Sequence, residues 1–115
     1  MVDSRAARLD GVFGAVADPT RRAILATLAR GEATVGELAD RFPISLNGVS
    51  KHIRVLERAG LVTRDIQGRE HRLGFDPRPL QDAAEWMDKY RAFWEARFDA
   101  LEKLLESRRR TRRRR

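Results

Sequence analysis

The feature that most constrains the fold is a pair of helical patterns separated by only three residues, in the stretch LADRFPISLNGVSKHIRVLERAGLV, residues 38–62. In the first pattern, apolar residues recur at helical spacing until Pro43 ends the helix. Ser45 is a natural N-cap for a second helix that runs to about Ala59, and Gly60 is a natural stop. So short a connection predicts two helices joined by a tight turn.

The second helix of this pair is predicted to have one apolar face and one hydrogen-bonding face. At 100° per residue, the apolar face consists of Leu46, Val49, Ile53 and Leu56. The opposite face and its flanks carry Asn47, Ser50, Lys51, His52, Arg54 and Arg58, and only the outward Val55 departs from the pattern. Amide, ammonium and guanidinium groups contact base edges and phosphates in the major groove. The pattern favours a DNA-recognition helix over residues 45–59, and a solvated helix face is the alternative.

Gly48 interrupts this helix one turn after its start. A glycine inside a helix costs about 0.5–1 kcal/mol relative to alanine. One explanation is that the missing side chain lets the backbone, together with Ser45 and Asn47, approach DNA closely, since the free N–H groups of a helix N-terminus attract phosphate. The other is that a glycine is tolerated near a frayed helix start. The sequence leaves both open.

Two further helices are predicted before this pair. Apolar residues at helical spacing over residues 9–16 suggest a short first helix that ends before Asp18. Asp18 is then the N-cap of a second helix, with Pro19 at its first position and Gly31 as its stop. In the helix that follows, Thr34 and Glu37 have the spacing of a capping box.

A β-hairpin is predicted after the recognition helix. Residues 61–66 and 69–75 have the pattern of two short strands around a loop at Gln67-Gly68, where glycine favours a tight turn. The basic residues of this hairpin, Arg69 at its tip and also Arg72, could follow a phosphate backbone or enter a minor groove. A helix, a turn, a basic helix and a basic hairpin in this order indicate a winged helix-turn-helix. The fold class is therefore mainly α with a small β-hairpin wing.

The chain is predicted to end in one long helix with an apolar stripe. From about Pro79 the pattern continues for roughly 28 residues, or about 42 Å. Its apolar residues include Trp86, Met87, Tyr90, Phe93, Trp94, Phe98 and Leu101. Such a stripe could line a small-molecule pocket, but a contiguous patch of this size usually marks an interface. We therefore expect this helix to dimerise, together with Leu9 and Phe13 of the first helix.

The positive charge of the chain is concentrated at its C-terminus. The formal net charge is +7, and residues 108–115 contain seven arginines, so the rest of the chain balances 17 basic against 17 acidic residues. The domain organisation predicted from this is a DNA-binding and dimerisation domain over residues 1–107, followed by a disordered Arg-rich tail over 108–115. The tail either adds sequence-independent affinity for nucleic acid or is a solvated end without a role.

Three stretches together resemble the ArsR-type (ArsR/SmtB) bacterial repressors: VADPTRRAILATLARGE, then LADRFPISLNGVSKHIRVLERAGLV, then GREHRLGF. The resemblance extends from about residue 9 to residue 105. It implies a homodimeric transcriptional repressor that binds an imperfectly palindromic operator in double-stranded DNA. It also implies that the fourth helix reads the DNA, that the hairpin is the wing, and that the first and last helices form the dimer interface.

The metal ligands of this family are missing from the sequence. Metal-sensing members carry cysteines in the third helix, where this chain has TVGELADRF, or His and acidic ligands in the last helix, where it has Asp82, Glu85 and Asp88 without a histidine. Zinc and soft metals need thiolate or imidazole ligands. The chain resembles the branch that senses no metal, in which the inducer is often unidentified, so no cofactor is expected and an unidentified small molecule is one candidate inducer.

Composition restricts the remaining function classes. The chain has no cysteine, no apolar run long enough to span a membrane and no secretory signal, so we expect a cytoplasmic protein without disulfides. No catalytic set of residues or phosphate-binding glycine loop is present, so we expect no enzyme. Two alternatives to the repressor are a sequence-nonspecific nucleic-acid-binding protein, driven by the tail, and a winged-helix module that binds proteins.

Overall fold

The computed structural model describes residues 4–113, which form helices and one antiparallel sheet. The elements in chain order are α1 Ser4–Val16, α2 Pro19–Arg30, β1 Ala33–Thr34, α3 Val35–Arg41, α4 Leu46–Arg58, β2 Val62–Gln67, β3 Glu70–Phe75 and α5 Arg78–Arg113. The predicted winged helix-turn-helix is confirmed. The chain divides into two units, one ending at Ala83 and the other beginning at Ala84. This division lies well before residue 107, where the sequence placed the end of the domain.

Side-chain caps begin three of the helices at the predicted residues. Asp18 Oδ2 accepts the N–H of Arg21 at 3.0 Å, and Thr34 Oγ1 accepts the N–H of Glu37 at 3.1 Å. Ser45 Oγ accepts the N–H of the third residue of α4 at 3.0 Å. Each bond satisfies one of the free N–H groups at a helix start, which is why these three residue types are favoured there.

The end of α4 is also as predicted. Gly60 has a φ of 77°, in the left-handed region that glycine adopts without strain. Its N–H donates to the carbonyl of Glu57, and the N–H of Leu61 donates to the carbonyl of Leu56. These two bonds form a Schellman motif, which stops the helix and turns the chain into the wing.

The core of the first unit is formed by α2, α3, α4 and the sheet. Its fully buried large side chains include Ile24, Leu38, Ile53, Leu56, Leu61 and Leu73. Two predictions about α4 need correction. Leu46 is 58% exposed, because it is the first residue of the helix and lies beyond the core that covers the next turns. Val55, which the pattern placed outward, packs partly buried against the core.

The sheet has three strands in the order β1-β3-β2, one more than predicted. In the added strand β1, Ala33 pairs with Leu73 of β3. The sequence did not reveal this strand, because two residues are too few to show an alternating pattern. The hairpin turn is Gly68-Arg69, one residue later than predicted, because Gln67 pairs with Glu70. A positive φ of 63° at Gly68 is typical of a two-residue turn that begins with glycine.

The last helix is longer than predicted. It has 36 residues, or about 54 Å, and continues through Arg113. The predicted disordered tail is therefore corrected over residues 108–113, while Arg114 and Arg115 lie outside the described residues. No glycine or proline follows Pro79, arginine has a high helix propensity, and basic residues in a last turn interact favourably with the helix dipole. Every residue from 84 to 113 is exposed.

Candidate nucleic-acid interface

One face of α4 presents hydrogen-bonding groups to solvent. Ser45, Asn47, Lys51 and Arg54 are exposed, whereas Val49, Ile53 and Leu56 on the other side are fully buried. Within residues 4–113 neither Lys51 nor Arg54 has an ion-pair partner. The helix therefore has a buried face that fixes its position and an opposite face whose donors are available to a ligand. Ser50 is half-buried at the edge of this face.

The start of α4 supplies a packing reason for Gly48. A Cβ added to Gly48 would lie 3.3 Å from Ser45 Oγ and 3.6 Å from Ile44 Cδ1. The first distance is short for a carbon and a hydroxyl oxygen, so a larger residue would crowd the hydroxyl that caps the helix. Neither explanation drawn from the sequence included this contact, because it depends on where Ile44 and Ser45 fold back over the first turn.

His52 packs against α2 instead of facing outward with the other donors. Its Nδ1 lies 3.3 Å from Nη1 of Arg21 and 3.9 Å from Oδ2 of Asp18. Its side chain is 25% exposed. An arginine can only donate, so Nδ1 accepts in this contact. DNA contact by His52 stays a prediction, and in the structure the ring joins the recognition helix to α2 and is not part of the free donor face.

Arg21 connects three helices at this position. Its Nε donates to the carbonyl of Ala15 at 2.7 Å and its Nη2 to the carbonyl of Gly14 at 3.0 Å, both in the last turn of α1. The same guanidinium reaches His52 on α4. The side chain of Arg21 thus donates to carbonyls in the last turn of α1, where the helix runs out of backbone donors. The only sequence signal for this role is the pair Arg21-Arg22, which follows the helix start Asp18-Pro19 after one residue.

The stability of this junction depends on pH through Asp18, the N-cap of α2. The pKa of Asp18 lies below its usual 3.8, chiefly because the carboxylate accepts the backbone N–H of Arg21 and also because His52 and Arg21 lie close by. The folded state therefore favours the ionised form. This contribution to stability is present above the unfolded pKa of 3.8 and is lost as the pH falls through the lower folded value.

Replacing Arg21 with methionine should lower the free energy of unfolding by about 1–3 kcal/mol, because two carbonyls of α1 lose a charged donor. Arg22→Met is the matched control, since the guanidinium of Arg22 donates one hydrogen bond, to the carbonyl of Val16 at 2.7 Å. Urea unfolding followed by circular dichroism measures both variants. A loss for Arg21→Met no greater than that for Arg22→Met would contradict the bridging role.

The wing presents one of its two predicted arginines freely. Arg69 lies in the turn, is exposed and has no ion-pair partner among the described residues. Arg72 is half-buried and its Nη2 lies 2.7 Å from Oε1 of Glu70. This hydrogen bond to Glu70 raises the pKa of Arg72. DNA contact by Arg72 stays a prediction, and its charge is already paired with an acidic neighbour two residues earlier on the same face of β3.

An ion pair that the sequence did not reveal joins the wing to α4. Arg64 on β2 donates to both carboxylate oxygens of Glu57, at 2.7 and 3.2 Å. Its Nη1 also lies 2.8 Å from Nδ1 of His71 on β3. The hydrogen bond to Glu57 raises the pKa of Arg64. Two planar hydrogen bonds set direction as well as distance, so this contact orients the hairpin relative to the recognition helix.

The predicted dimer residues lie on α1 and α5. On α1, Leu9 and Phe13 are half-buried. On α5, the residues Trp86, Met87, Tyr90, Phe93, Trp94, Phe98 and Leu101 are between 40 and 64% exposed. Their rings contact one another along the helix: Trp86 and Tyr90 at 5.1 Å, Phe93 and Trp94 at 5.5 Å, and Trp94 and Phe98 at 6.4 Å between centroids. We call this set of seven residues the aromatic face of α5.

The described part of the chain offers neither a grouped set of metal ligands nor a membrane-spanning helix. Between residues 4 and 113, no three His, Cys, Asp or Glu side chains are grouped so as to hold a metal ion. In the same range, no helix combines the length and apolar character needed to cross a bilayer.

Comparison with known proteins places the same region in a recognised class. A family model described as a helix-turn-helix domain matches residues 16–65. The transcriptional repressor SdpR of Bacillus subtilis is 35% identical over 79 residues, which cover 69% of this chain and 88% of SdpR. The HTH-type transcriptional regulator Rv2034 of Mycobacterium tuberculosis is 37% identical over 98 residues, or 85% of this chain and 89% of Rv2034.

A solved structure agrees with these sequence relatives. The crystal structure of an ArsR family transcriptional regulator superimposes with a TM-score of 0.73 at 40% sequence identity. The superposition covers 78% of this chain and 93% of that regulator. The chain therefore matches these relatives over the helix-turn-helix region and over most of their length.

Proposed function

Since the chain belongs to the ArsR family of DNA-binding, winged helix-turn-helix transcriptional regulators, we propose that it is a homodimeric repressor that reads an imperfectly palindromic operator with α4. The observation that carries this proposal is the exposed donor face of α4, whose Lys51 and Arg54 have no ion-pair partner among residues 4–113 while the opposite face is buried. A solvated face of no function would not need a helix fixed by a cap, a core and the bridge from Arg21.

The start of α4 is the part proposed to enter the major groove. Asn47 can recognise an adenine edge and Lys51 a guanine edge, while Arg54 contacts a phosphate or a further base. Ser45 and Gly48 place the first turn close to the backbone, with Ser50 at its edge. The exposed Leu46, which the sequence assigned to the core, adds an apolar group of the kind that contacts a thymine methyl.

The wing is proposed to contact the DNA through Arg69. An exposed arginine at the tip of a two-stranded ribbon suits a phosphate backbone or a narrow minor groove. Arg72 contacts DNA only if its guanidinium leaves Glu70 or binds Glu70 and a phosphate at the same time. Its role is therefore secondary to that of Arg69. The ion pair between Arg64 and Glu57 supports this arrangement, because it holds the hairpin at a defined angle to α4.

Dimerisation is proposed through the aromatic face of α5, together with Leu9 and Phe13. A contiguous exposed patch with several aromatic residues usually marks an interface. A two-fold pair of chains would place two copies of α4 about one turn of DNA, roughly 34 Å, apart. An operator with two related half-sites follows from this symmetry, and a regulator of this kind would act in the cytoplasm, where it has access to the chromosome.

The signal that relieves repression is proposed to be a small molecule. The part of the chain between residues 4 and 113 offers no grouped metal ligands, so a metal inducer has no evident site there. The relatives are transcriptional regulators, and we propose no enzymatic activity. Sequence-indifferent coating of nucleic acid and binding of a protein partner by the winged helix are the two competing functions.

The test is a footprint of the full chain on the DNA upstream of its own gene. We expect protection of two related half-sites about one helical turn apart, and an operator affinity at least about 1,000 times the affinity for a random duplex at moderate salt. Equal affinity for both duplexes would favour a coating protein. Absence of binding to either would favour a protein-interaction module.

A further inference from the structure

We propose that the arginine-rich end of α5 is a second binding surface, which contacts the phosphates of duplex DNA without reading bases. The surface consists of Arg108, Arg109, Arg110, Arg112 and Arg113. This inference rests on the proposed function for the identity of the nucleic acid, and its evidence comes from the charge and structure of residues 107–113 alone.

The first observation is that these residues form a helix instead of an irregular tail. The helix continues through Arg113, and the hydroxyl of Thr111 donates to the carbonyl of Ser107 at 3.0 Å. At 100° per residue, Arg108, Arg109, Arg112 and Arg113 fall within an arc of about 140° on one side of the helix. These four guanidinium groups therefore form a patch on one side of the helix, and Arg110 lies about 60° outside the arc.

The second observation is that the patch has no internal counterion. All five arginines are exposed, and none has an ion-pair partner in the part of the chain that the structure describes. The nearest acidic residue, Glu106, precedes the patch, and no acidic residue follows it. Arg108 with Arg112, and Arg109 with Arg113, are like charges four residues apart, which destabilise a helix. A bound polyanion would remove this repulsion.

The third observation is that this segment carries the entire net charge of the chain. If the seven arginines of residues 108–115 are left out, the formal charges of the remaining residues sum to zero. This end is therefore the largest concentration of positive charge that the sequence offers to a polyanion. Guanidinium groups form paired hydrogen bonds with phosphate, which suits a surface that contacts the backbone without reading bases.

The experiment compares two variants of the full chain in which Arg108, Arg109, Arg112 and Arg113 all become glutamine or all become lysine. Glutamine removes the charge and keeps helix propensity, whereas lysine keeps the charge. Fluorescence anisotropy measures the affinity for a random 30-base-pair duplex and for the operator over a range of salt concentrations. A double-stranded RNA of equal length is measured beside them.

We expect the glutamine variant to bind the random duplex about tenfold more weakly at moderate salt. The slope of log affinity against log salt should become shallower by about 2–4, since each lost phosphate contact accounts for about 0.9. The lysine variant should keep most of the slope. The ratio of operator to random affinity should change less than about twofold in both variants.

Two results would overturn the proposal. One is an unchanged affinity and salt slope in the glutamine variant, and the other is wild-type binding to the RNA that exceeds binding to the DNA tenfold and depends on the same arginines. Failure of the proposed function looks different: neither variant nor the wild type would prefer the operator, while the glutamine variant would still lose affinity for the random duplex.

Discussion

Replacing Trp94 and Phe98 together with glutamate should convert the protein into monomers and weaken operator binding by about 100-fold or more. Both side chains are more than half exposed in the single chain and lie in the aromatic face of α5. Two carboxylates in an apolar interface would have to be desolvated without partners. Loss of the second half-site contact then removes the gain of roughly 10²–10⁴ that comes from linking two binding modules.

The matched control for this variant is Ala92→Glu. Ala92 is exposed on the opposite side of the same helix. The Ala92→Glu variant therefore places a carboxylate on α5 outside the proposed interface. Sedimentation velocity gives the oligomeric state and a gel-shift titration gives the operator affinity. We expect the control to remain a dimer with wild-type affinity. A Trp94→Glu/Phe98→Glu protein that still sediments as a dimer would disprove the interface.

Replacing Asn47 or Lys51 with alanine should change which operator variants the protein prefers. Both side chains are exposed on the first two turns of α4, where a paired contact with a base edge discriminates by about 1–3 kcal/mol. This corresponds to a change of about 5- to 150-fold in the affinity ratio between the correct base and a substituted one. Alanine keeps the helix, because it is the strongest helix former.

A panel of operators with single base changes, titrated against each variant, measures this effect. Lys89→Ala on α5 is the control for loss of one lysine charge, because Lys89 is exposed and lies outside the proposed reading helix. We expect each variant to lose discrimination at one base position of each half-site. An equal loss of affinity for all sequences would assign Asn47 and Lys51 to the phosphate backbone, contrary to base readout.

The structure gives several polar residues partners that the sequence did not indicate. His52 and Arg72 look like free donors in the sequence, yet His52 packs beside Arg21 and Arg72 pairs with Glu70. The error was the opposite for Arg64 and Arg21. The sequence assigned neither a structural role, yet each joins at least two elements of the fold. A helical projection places a side chain on a face, but whether a neighbour occupies that face depends on the packing of other elements.

The sequence by itself determined the N-caps of α2, α3 and α4, the stop of α4, the buried stripe at the centre of α4, and the order of elements that makes a winged helix-turn-helix. These follow from contacts within a few residues: Asp18, Thr34 and Ser45 cap their own first turns, and Gly60 adopts a left-handed conformation that other residues avoid. The period of apolar residues then selects the face that is buried.

Only the tertiary structure decided which charged groups remain available to a ligand. The bridge from Arg21 to His52, the ion pair of Arg64 with Glu57, the added strand β1 and the exposure of Leu46 all depend on residues that meet across elements. The physical reason is that a hydrogen bond or ion pair requires its two groups within about 3 Å, and the distance between two elements is set by the packing of the whole core.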